Sequence, residues 1–320
     1  MLQRTLPGTD LRLSVVGMGC WTIGGTWWGP DQDDARAVRA VHAALDAGVN
    51  WFDTAPLYGD GHADRLLAQA LRDRPAALVA TKVGARMQGE HAISDLRPAS
   101  VVADCAASLK RLRRDRIDLL QVHWPCQVGA ALDDTLGALV DLRDRGWIRY
   151  FGLCNYDAPA VARARELAPV ASLQAPLSLL RREAEGALMA EVTAPRGTPA
   201  RVLGLLAYET LCRGLLTGRF ATLPTFDPSD QRARDARFSG HRFAHARALV
   251  ADLERVADKV GCSVAALAVG WALQRPGVTA AVVGARTPEQ IRDSATAADL
   301  LGRRRLWSVV DRIAAMHGGT

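Results

Sequence analysis

The chain has 320 residues, 49% of them apolar, which is enough for a large single-core fold such as an α/β barrel of ~250 residues. It has no run of ~18 apolar residues and no basic-then-apolar N-terminal segment, so neither a membrane-spanning helix nor a secretion signal is expected. The formal net charge is +6, but acidic residues are interspersed, so clusters such as Arg111–Arg114 and Arg303–Arg305 indicate solvated helix faces rather than a nucleic-acid surface.

Strand-like and helix-like segments alternate along the whole chain. The predicted strands are Ser14–Met18, Val49–Phe52, Ala77–Thr81, Ile117–Val122, Arg149–Leu153, Val170–Leu173, Arg201–Ala207 and Thr279–Val283. The predicted helices between them are Asp34–Ala47, His62–Arg72, Ser100–Leu112, Thr135–Arg145, Pro159–Glu166 and Glu183–Ala190. Strand–helix units without a linker or repeat predict one domain over residues 1–320, of the α/β class, with a parallel sheet closed into a (β/α)8 TIM barrel.

Three segments lie outside these units. Residues 2–13 are predicted to form an N-terminal β-hairpin, Leu2–Leu6 with Leu11–Leu13, that closes the barrel floor. The segment from Glu209 to Phe243 is long and rich in glycine, proline and arginine, which is typical of a functional loop. Extra helices are predicted near the C-terminus at Ala246–Lys259, Ser263–Gln274 and Arg303–Met316.

Four polar residues follow three successive predicted strands. Asp53 and Tyr58 follow the second strand, Lys82 the third and His123 the fourth, so they should meet at the barrel mouth. An ion pair with Asp53 would keep Lys82 charged, and the ammonium would lower the pKa of Tyr58 from ~10. His123 could hydrogen-bond a substrate oxygen, so the set predicts proton transfer to a carbonyl group. Taken singly, each residue has an ordinary structural alternative. Asp53 could cap a turn and Tyr58 could be a loop aromatic. Lys82 could be a solvent-exposed strand end and His123 a structural histidine.

Six segments then show a resemblance to a known family. They are Asn50–Gly59, Ala80–Lys82, Ile117–Pro125, Phe151–Tyr156, Arg213–Gly218 and Val283–Arg286. In this order they resemble the signatures of the aldo-keto reductase family, most closely its bacterial NADPH-dependent members. The resemblance implies an oxidoreductase of the alcohol dehydrogenase type that reduces aldehydes or ketones, and the scattered cysteines favour a cytoplasmic location. Tyr58 would be the proton donor, Lys82 and Asp53 would tune it, and His123 would orient the carbonyl.

The resemblance also implies a nicotinamide dinucleotide extended across the barrel mouth. The residues predicted to bind it are Trp21, Asn155, Gln174, Tyr208, Arg213, Gly214, Leu216, Gly218, Gly284, Arg286, Gln290 and Ser294. Arg286 directly precedes a capped helix start at Thr287–Gln290, and a guanidinium beside a helix N-terminus suits a ribose 2′-phosphate. NADPH is therefore the favoured cofactor, and NADH stays open. The alternatives are ordinary strand-end bonding for Asn155 and Gln174, core packing for Tyr208 and a surface position for Arg286.

Four tryptophans are predicted to form the substrate pocket for a small aldehyde or ketone, unless some of them only pack the loops: Trp21, Trp27, Trp28 and Trp124. The six cysteines contain no Cys-x-x-Cys pair, which predicts reduced thiols and no metal site. Two other functions remain open. One is a nucleotide-sensing regulatory barrel with little turnover, and the other is a Schiff-base lyase that uses Lys82. The oligomeric state and the physiological carbonyl are not predicted, and neither a nucleic acid nor a membrane is expected as a partner.

Overall fold

A computed structural model describes residues 1–89, 91–195 and 202–318. Arg201, the predicted start of the seventh barrel strand, lies outside the described residues. The strands are β1 Gln3–Thr5, β2 Arg12–Ser14, β3 Val16–Gly19, β4 Trp51–Asp53, β5 Leu78–Val83, β6 Ala85–Gln88, β7 His91–Ser94, β8 Ile117–Val122, β9 Ile148–Cys154, β10 Ser172–Pro176, β11 Gly204–Tyr208 and β12 Val278–Gly284. The helices are α1 Asp34–Asp46, α2 His62–Ala70, α3 Pro98–Leu112, α4 Leu132–Asp144, α5 Ala158–Leu167, α6 Ala187–Thr193, α7 Gly240–Val260, α8 Val264–Leu273, α9 Pro288–Ala295 and α10 Arg304–Met316.

Eight parallel strands close into a barrel in the order β3, β4, β5, β8, β9, β10, β11 and β12, which confirms the predicted (β/α)8 fold. The fourth barrel strand, Ile117–Val122, has the predicted bounds, whereas several others continue further toward the mouth. Lys82, Gln174 and Tyr208 therefore lie within strands rather than after them. Each of them is paired with a residue of a neighbouring strand in the sheet, as Lys82 is with Gln121.

The antiparallel pair β1 and β2 covers the barrel floor, as the sequence predicts. Leu6 and Leu11, in the turn between these strands, are 0% and 1% exposed and pack in one cluster with Trp51 and Leu206 from the barrel. A side chain at Gly204 would displace Leu6, because an added Cβ would lie 2.3 Å from Leu6 Cδ1. The hairpin is thus part of the barrel core and not a surface addition.

Two features of the fold were not predicted. A short antiparallel hairpin, β6 with β7, follows β5 at the mouth of the barrel. The long segment after β11 is ordered by 3₁₀ turns at Cys212–Thr217, Gln231–Arg234 and Ala236–Phe238. Phe220, Phe226 and Phe238 pack edge to face within it.

A helix that crosses a bilayer must be long and apolar. In the described parts of the chain no single helix is long and apolar enough to do so, and the one consecutive pair that qualifies by length and composition together, α7 with α8, is bent by 95°.

The floor cluster generates a stability prediction. Leu6→Ala should lower the free energy of unfolding by about 2–5 kcal/mol, because it leaves a cavity among residues that cannot collapse into it. Leu2→Ala is the matched control, since Leu2 is 48% exposed and should change stability by less than about 0.5 kcal/mol. Urea unfolding followed by tryptophan fluorescence measures both variants. Equal midpoints for the two would contradict the role of the hairpin in the core.

Candidate active site

The four polar residues predicted at strand ends lie together at one end of the barrel. Asp53 ends β4, Lys82 lies in β5 and His123 directly follows β8, and all three are buried. Tyr58 is brought to them by the loop after β4, whose backbone turns through a hydrogen bond from the Tyr58 amide to Ala55 O of 3.0 Å. That loop packs so closely on the loop after β3 that a Cβ on Gly59 would lie 1.7 Å from a backbone oxygen.

Lys82 is the centre of this group. Its Nζ forms an ion pair with Asp53 Oδ1 and donates to Thr54 O at 3.1 Å and to Tyr58 Oη at 3.2 Å. Burial by itself would lower the pKa of Lys82, but the attraction of Asp53 raises it above the ordinary value. Lys82 therefore carries its charge in a site that excludes water.

The second oxygen of Asp53 is held by two glutamine amides, one from β8 and one from β10. Gln174 Nε2 donates to Asp53 Oδ2 at 2.8 Å, and Gln121 Nε2 donates to the same oxygen at 3.2 Å. Both glutamines are buried. The sequence prediction missed Gln121 entirely, although it occupies the strand position paired with Lys82. The predicted cofactor residue Gln174 lines the cleft but has its amide nitrogen committed to Asp53.

The predicted lowering of the Tyr58 pKa is wrong for this structure. Burial raises the pKa of Tyr58, and this effect outweighs the opposing influence of Lys82. Tyr58 is therefore a protonated phenol at neutral pH. Because Lys82 Nζ donates to Oη, the oxygen accepts from the ammonium and its own hydrogen remains available to a group in the cleft.

His123 is a neutral imidazole in this site. Burial and the nearby charge of Lys82 hold the pKa of His123 well below 6.5. Its ring meets Tyr58 edge to face at 5.9 Å between centroids and lies 4.5 Å from the ring of Trp124. Among the described residues its Nδ1 is buried without a hydrogen-bond partner. The phenol and the imidazole thus present two polar groups side by side.

A cleft of ≈ 700 Å³ opens above this group. The predicted residues that line it are Trp21, Trp27, Trp28, Asp53, Tyr58, His123, Trp124, Asn155, Gln174, Tyr208, Arg213, Gly214, Gly284, Arg286, Gln290 and Ser294. Lys82, Leu216 and Gly218 are not in its wall. Leu216 is fully buried, and its amide donates to Leu211 O at 3.1 Å, so it does not face the cleft. A Cβ on Gly218 would instead meet Glu254 and Val264.

Asn155 and Tyr208 form a hydrogen-bonded pair on one wall. Tyr208 Oη donates to Asn155 Oδ1 at 2.7 Å, and Asn155 Nδ2 donates to the backbone oxygen of His123 at 3.0 Å. Asn155 has a positive φ of 62°, which turns the chain sharply at the end of β9. The pair therefore ties the ends of β9 and β11, which flank β10, to the loop that carries His123.

At the far end of the cleft, α9 begins as the sequence predicts. Thr287 is its N-cap and accepts from the Gln290 amide, while Gln290 Oε1 accepts from the Arg286 amide at 2.8 Å. The Arg286 guanidinium reaches across the cleft to Asp31, with 3.1 Å between Nη2 and Oδ2. The side chains predicted to recognise a nucleotide are therefore held by one another and by the opposite loop.

Several further residues in the cleft wall were missed. Arg36, Arg219 and Arg232 join Arg213 and Arg286, so five arginines face the space. Glu209 directly follows β11, so its position at a strand end could have identified it as a site residue. Its carboxylate accepts hydrogen bonds from the guanidinium groups of Arg181, Arg213 and Arg237. This fixes Arg213 where it lies 5.5 Å from the ring of Trp21.

The wall fits a long ligand with several negative charges. Five guanidinium groups line the cleft, four of which also pair with carboxylates, and buried donors without a partner in the described residues line the same space: Trp21 Nε1, Trp28 Nε1 and Thr210 Oγ1. Gly214, with φ of 98°, lets the backbone of the loop bend at the rim. In the described ranges no group of three or more His, Cys, Asp or Glu residues is placed to hold a metal ion.

Comparison with known proteins agrees with this geometry. The family model described as "Aldo/keto reductase family" matches residues 15–313. An aldo-keto reductase of Bacillus subtilis, YhdN, is 35% identical over 91% of this chain and 87% of its own length. The NADH-specific methylglyoxal reductase of Escherichia coli is 28% identical over 94% of each chain. The structure of a glycerol dehydrogenase from Gluconobacter oxydans superposes with a TM-score of 0.88 at 37% identity, covering 99% of this chain and 96% of the other.

The buried imidazole generates a pH prediction. In the unfolded chain His123 takes up a proton below pH 6.5, whereas in the folded protein its lowered pKa prevents this. Stability should therefore fall as the pH drops below 6.5, by up to about 1.4 kcal/mol per pH unit from this residue. His123→Gln should remove that part of the slope, and His241→Gln, which changes an exposed histidine, should not. Urea unfolding at pH 7, 6 and 5 compares them, and identical slopes in all three proteins would refute the assignment.

Proposed function

The chain belongs to the aldo/keto reductase family, whose members are oxidoreductases acting on carbonyl compounds, and from this we propose that it reduces aldehydes or ketones to alcohols with NADPH. Within that reaction we propose Tyr58 as the proton donor. One observation carries the proposal: a charged Lys82, paired with Asp53, donates to Tyr58 Oη at 3.2 Å beneath a cleft of ≈ 700 Å³. The reaction class is that of an NADP-dependent alcohol dehydrogenase acting on CH–OH groups.

The four residues divide the work as follows. Tyr58 holds the proton that a carbonyl oxygen takes up, and the ammonium of Lys82 stabilises the phenolate left behind. Asp53, fixed by two glutamine amides, keeps Lys82 charged and in place. His123 is neutral and can donate a second hydrogen bond toward the same oxygen. In the reverse direction the same groups return the proton.

The cofactor is proposed on the fit of the cleft wall. NADPH, when bound, supplies hydride from C4 of its nicotinamide ring. Asn155 and Tyr208 would hold the nicotinamide end, and Arg213 with Gly214 the pyrophosphate. Arg286, at the start of α9, would hold the 2′-phosphate that distinguishes NADPH from NADH. NADH stays open, because one relative is described as NADH-specific.

The substrate is proposed to be a small carbonyl compound. Trp21, Trp28 and Trp124 wall the space beside Tyr58, with Trp21 and Trp28 in an edge-to-face pair at 5.2 Å. Such walls exclude water and leave Tyr58 and His123 as the groups that orient an oxygen. Relatives described as acting on methylglyoxal and on glycerol favour short oxygenated compounds.

Two alternatives are less well supported. A Schiff-base lyase needs a neutral amine, but Lys82 is held charged with three hydrogen-bond partners. The complete proton-donor group counts against a nucleotide-sensing barrel with little turnover. All six cysteines are free, and we propose the reducing cytoplasm as the location. We also propose that residues 1–320 act as one domain.

Removal of the Tyr58 hydroxyl tests the proton donor. Tyr58→Phe should lower kcat for NADPH-dependent reduction of an aldehyde by about 10²–10⁴-fold while cofactor binding is retained. Tyr150→Phe is the matched control, because its hydroxyl contacts Asp10 at the opposite end of the barrel. Loss of NADPH absorbance at 340 nm measures turnover on a panel of short aldehydes. Full activity of Tyr58→Phe would refute the role, and a wild type with no turnover on any of them would favour the sensing barrel.

Removal of the Arg286 charge tests the cofactor preference. Arg286→Gln should raise the Kd for NADPH about tenfold or more, because a phosphate partner is lost, and should change the Kd for NADH by less than about twofold. Arg292→Gln, an exposed change on the same helix, should leave both values unaltered. Quenching of tryptophan fluorescence reports both constants. An equal loss of NADPH and NADH would contradict the 2′-phosphate assignment.

A further inference from the structure

A second concave site lies outside the cleft. It is a hollow of ≈ 520 Å³ on the outer side of α1, α2 and α3. Its wall carries five arginines and a histidine, with Asp73 as its one carboxylate: Arg65, Arg72, Arg74, Arg111, Arg113 and His42. It shares no lining residue with the cleft. Arg111 and Arg113, from the arginine cluster that the sequence suggested was a solvated helix face, thus line a cavity.

Four of these five guanidinium groups form no ion pair with a carboxylate of the described residues. Arg72 and Arg113 are exposed, and in the described part of the chain their guanidinium groups have no ion-pair partner. Arg65 and Arg74 contact only backbone oxygens, at 3.3 and 3.1 Å. Elsewhere in this arginine-rich chain, the guanidinium groups that line the active-site cleft mostly face carboxylates, as Arg286 faces Asp31.

The negative ends of two neighbouring helices do not offset all of the positive charge around the hollow. The carboxyl ends of α2 and α3 lie beside the hollow and attract cations, each equivalent to about half a negative charge. With Asp73 they offset about two charges, whereas Arg65, Arg72, Arg74 and Arg113 bring four. About two positive charges are therefore left uncompensated around one concavity.

The floor of the hollow is already ordered. Arg111 Nε donates to Asp64 Oδ2 at 2.9 Å, and its Nη2 donates to Ser108 Oγ at 3.0 Å. Asp64 is fully buried, so its partner is held in place. A ligand that meets a fixed guanidinium loses less entropy on binding than one that must order a free side chain.

From this charge and shape we propose that the hollow binds a compact polyanion carrying at least two phosphate groups. Its volume lies within the range of small-molecule sites, ~300–1,000 Å³. The wall offers guanidinium forks, which suit phosphate oxygens, but no phenylalanine, tyrosine or tryptophan on which a nucleobase could stack. Polyphosphate or a bisphosphorylated metabolite therefore fits better than a nucleic acid.

Titration calorimetry with inorganic pyrophosphate tests this site. The wild type should show a saturable event that the double variant Arg72→Gln with Arg113→Gln weakens by at least about tenfold. The control is Arg242→Gln with Arg312→Gln, which removes the same charge from exposed positions elsewhere and should bind as the wild type does. Unchanged thermal unfolding and NADPH binding would show that all variants are folded. Any pyrophosphate bound in the cleft is common to the three proteins and cancels in the comparison.

Three results would overturn the proposal. The wild type could show no saturable event that the variants alter. The two double variants could bind pyrophosphate equally, which would indicate general attraction to a basic protein. A single-stranded oligonucleotide could bind more tightly than pyrophosphate and lose affinity in the same variant, which would assign the hollow to a nucleic-acid backbone. None of these outcomes depends on whether the chain reduces carbonyl compounds.

Discussion

Lys82 and Asp53 form an ion pair whose side chains are only 1% and 3% exposed, inside a barrel of mostly apolar strands. Burying two charges costs several kcal/mol for each, and only close partners offset it. The barrel supplies them from the loop after β4 and from strands β8 and β10. Thr54 O and Tyr58 Oη accept the remaining hydrogen bonds of the ammonium, while Gln121 and Gln174 donate hydrogen bonds to the carboxylate. The proposed chemistry follows from this arrangement. Lys82 is held charged beside Tyr58, so its ammonium can stabilise the phenolate that forms when Tyr58 gives up its proton.

The same pair is connected to the outside of the barrel. Thr54, whose carbonyl accepts from Lys82, donates through its hydroxyl to buried Asp64 at 2.7 Å. Asp64 in turn holds Arg111, which forms the floor of the arginine-lined hollow. A continuous line of polar contacts thus runs from the proposed proton donor to the second concave site. On the cleft side, Glu209 plays a comparable part by fixing Arg213 at the rim.

The sequence predicts the barrel and the four polar residues because strand periodicity places their positions at one edge. It does not predict Gln121, since an amide within an apolar strand gives no signal until the strands are placed in register. The pKa of Tyr58 was predicted in the wrong direction, because burial cannot be weighed from neighbours in the chain. Leu216 was predicted as a cofactor contact, but the turn at Cys212–Thr217 directs it into the core. The arginine hollow needs three helices to be brought together, which no local pattern reveals.

The charge state of Lys82 tests the account most directly. The chain contains three lysines, Lys82, Lys110 and Lys259, so lysine labelled at the side chain gives three signals that single Lys→Arg variants assign. An NMR pH titration should show Lys82 still charged above the ordinary lysine pKa of ~10.4, and Asp53→Asn should lower that value because burial then acts alone. A Lys82 that loses its proton below ~10.4 in the wild type, or that titrates identically in Asp53→Asn, would contradict the account.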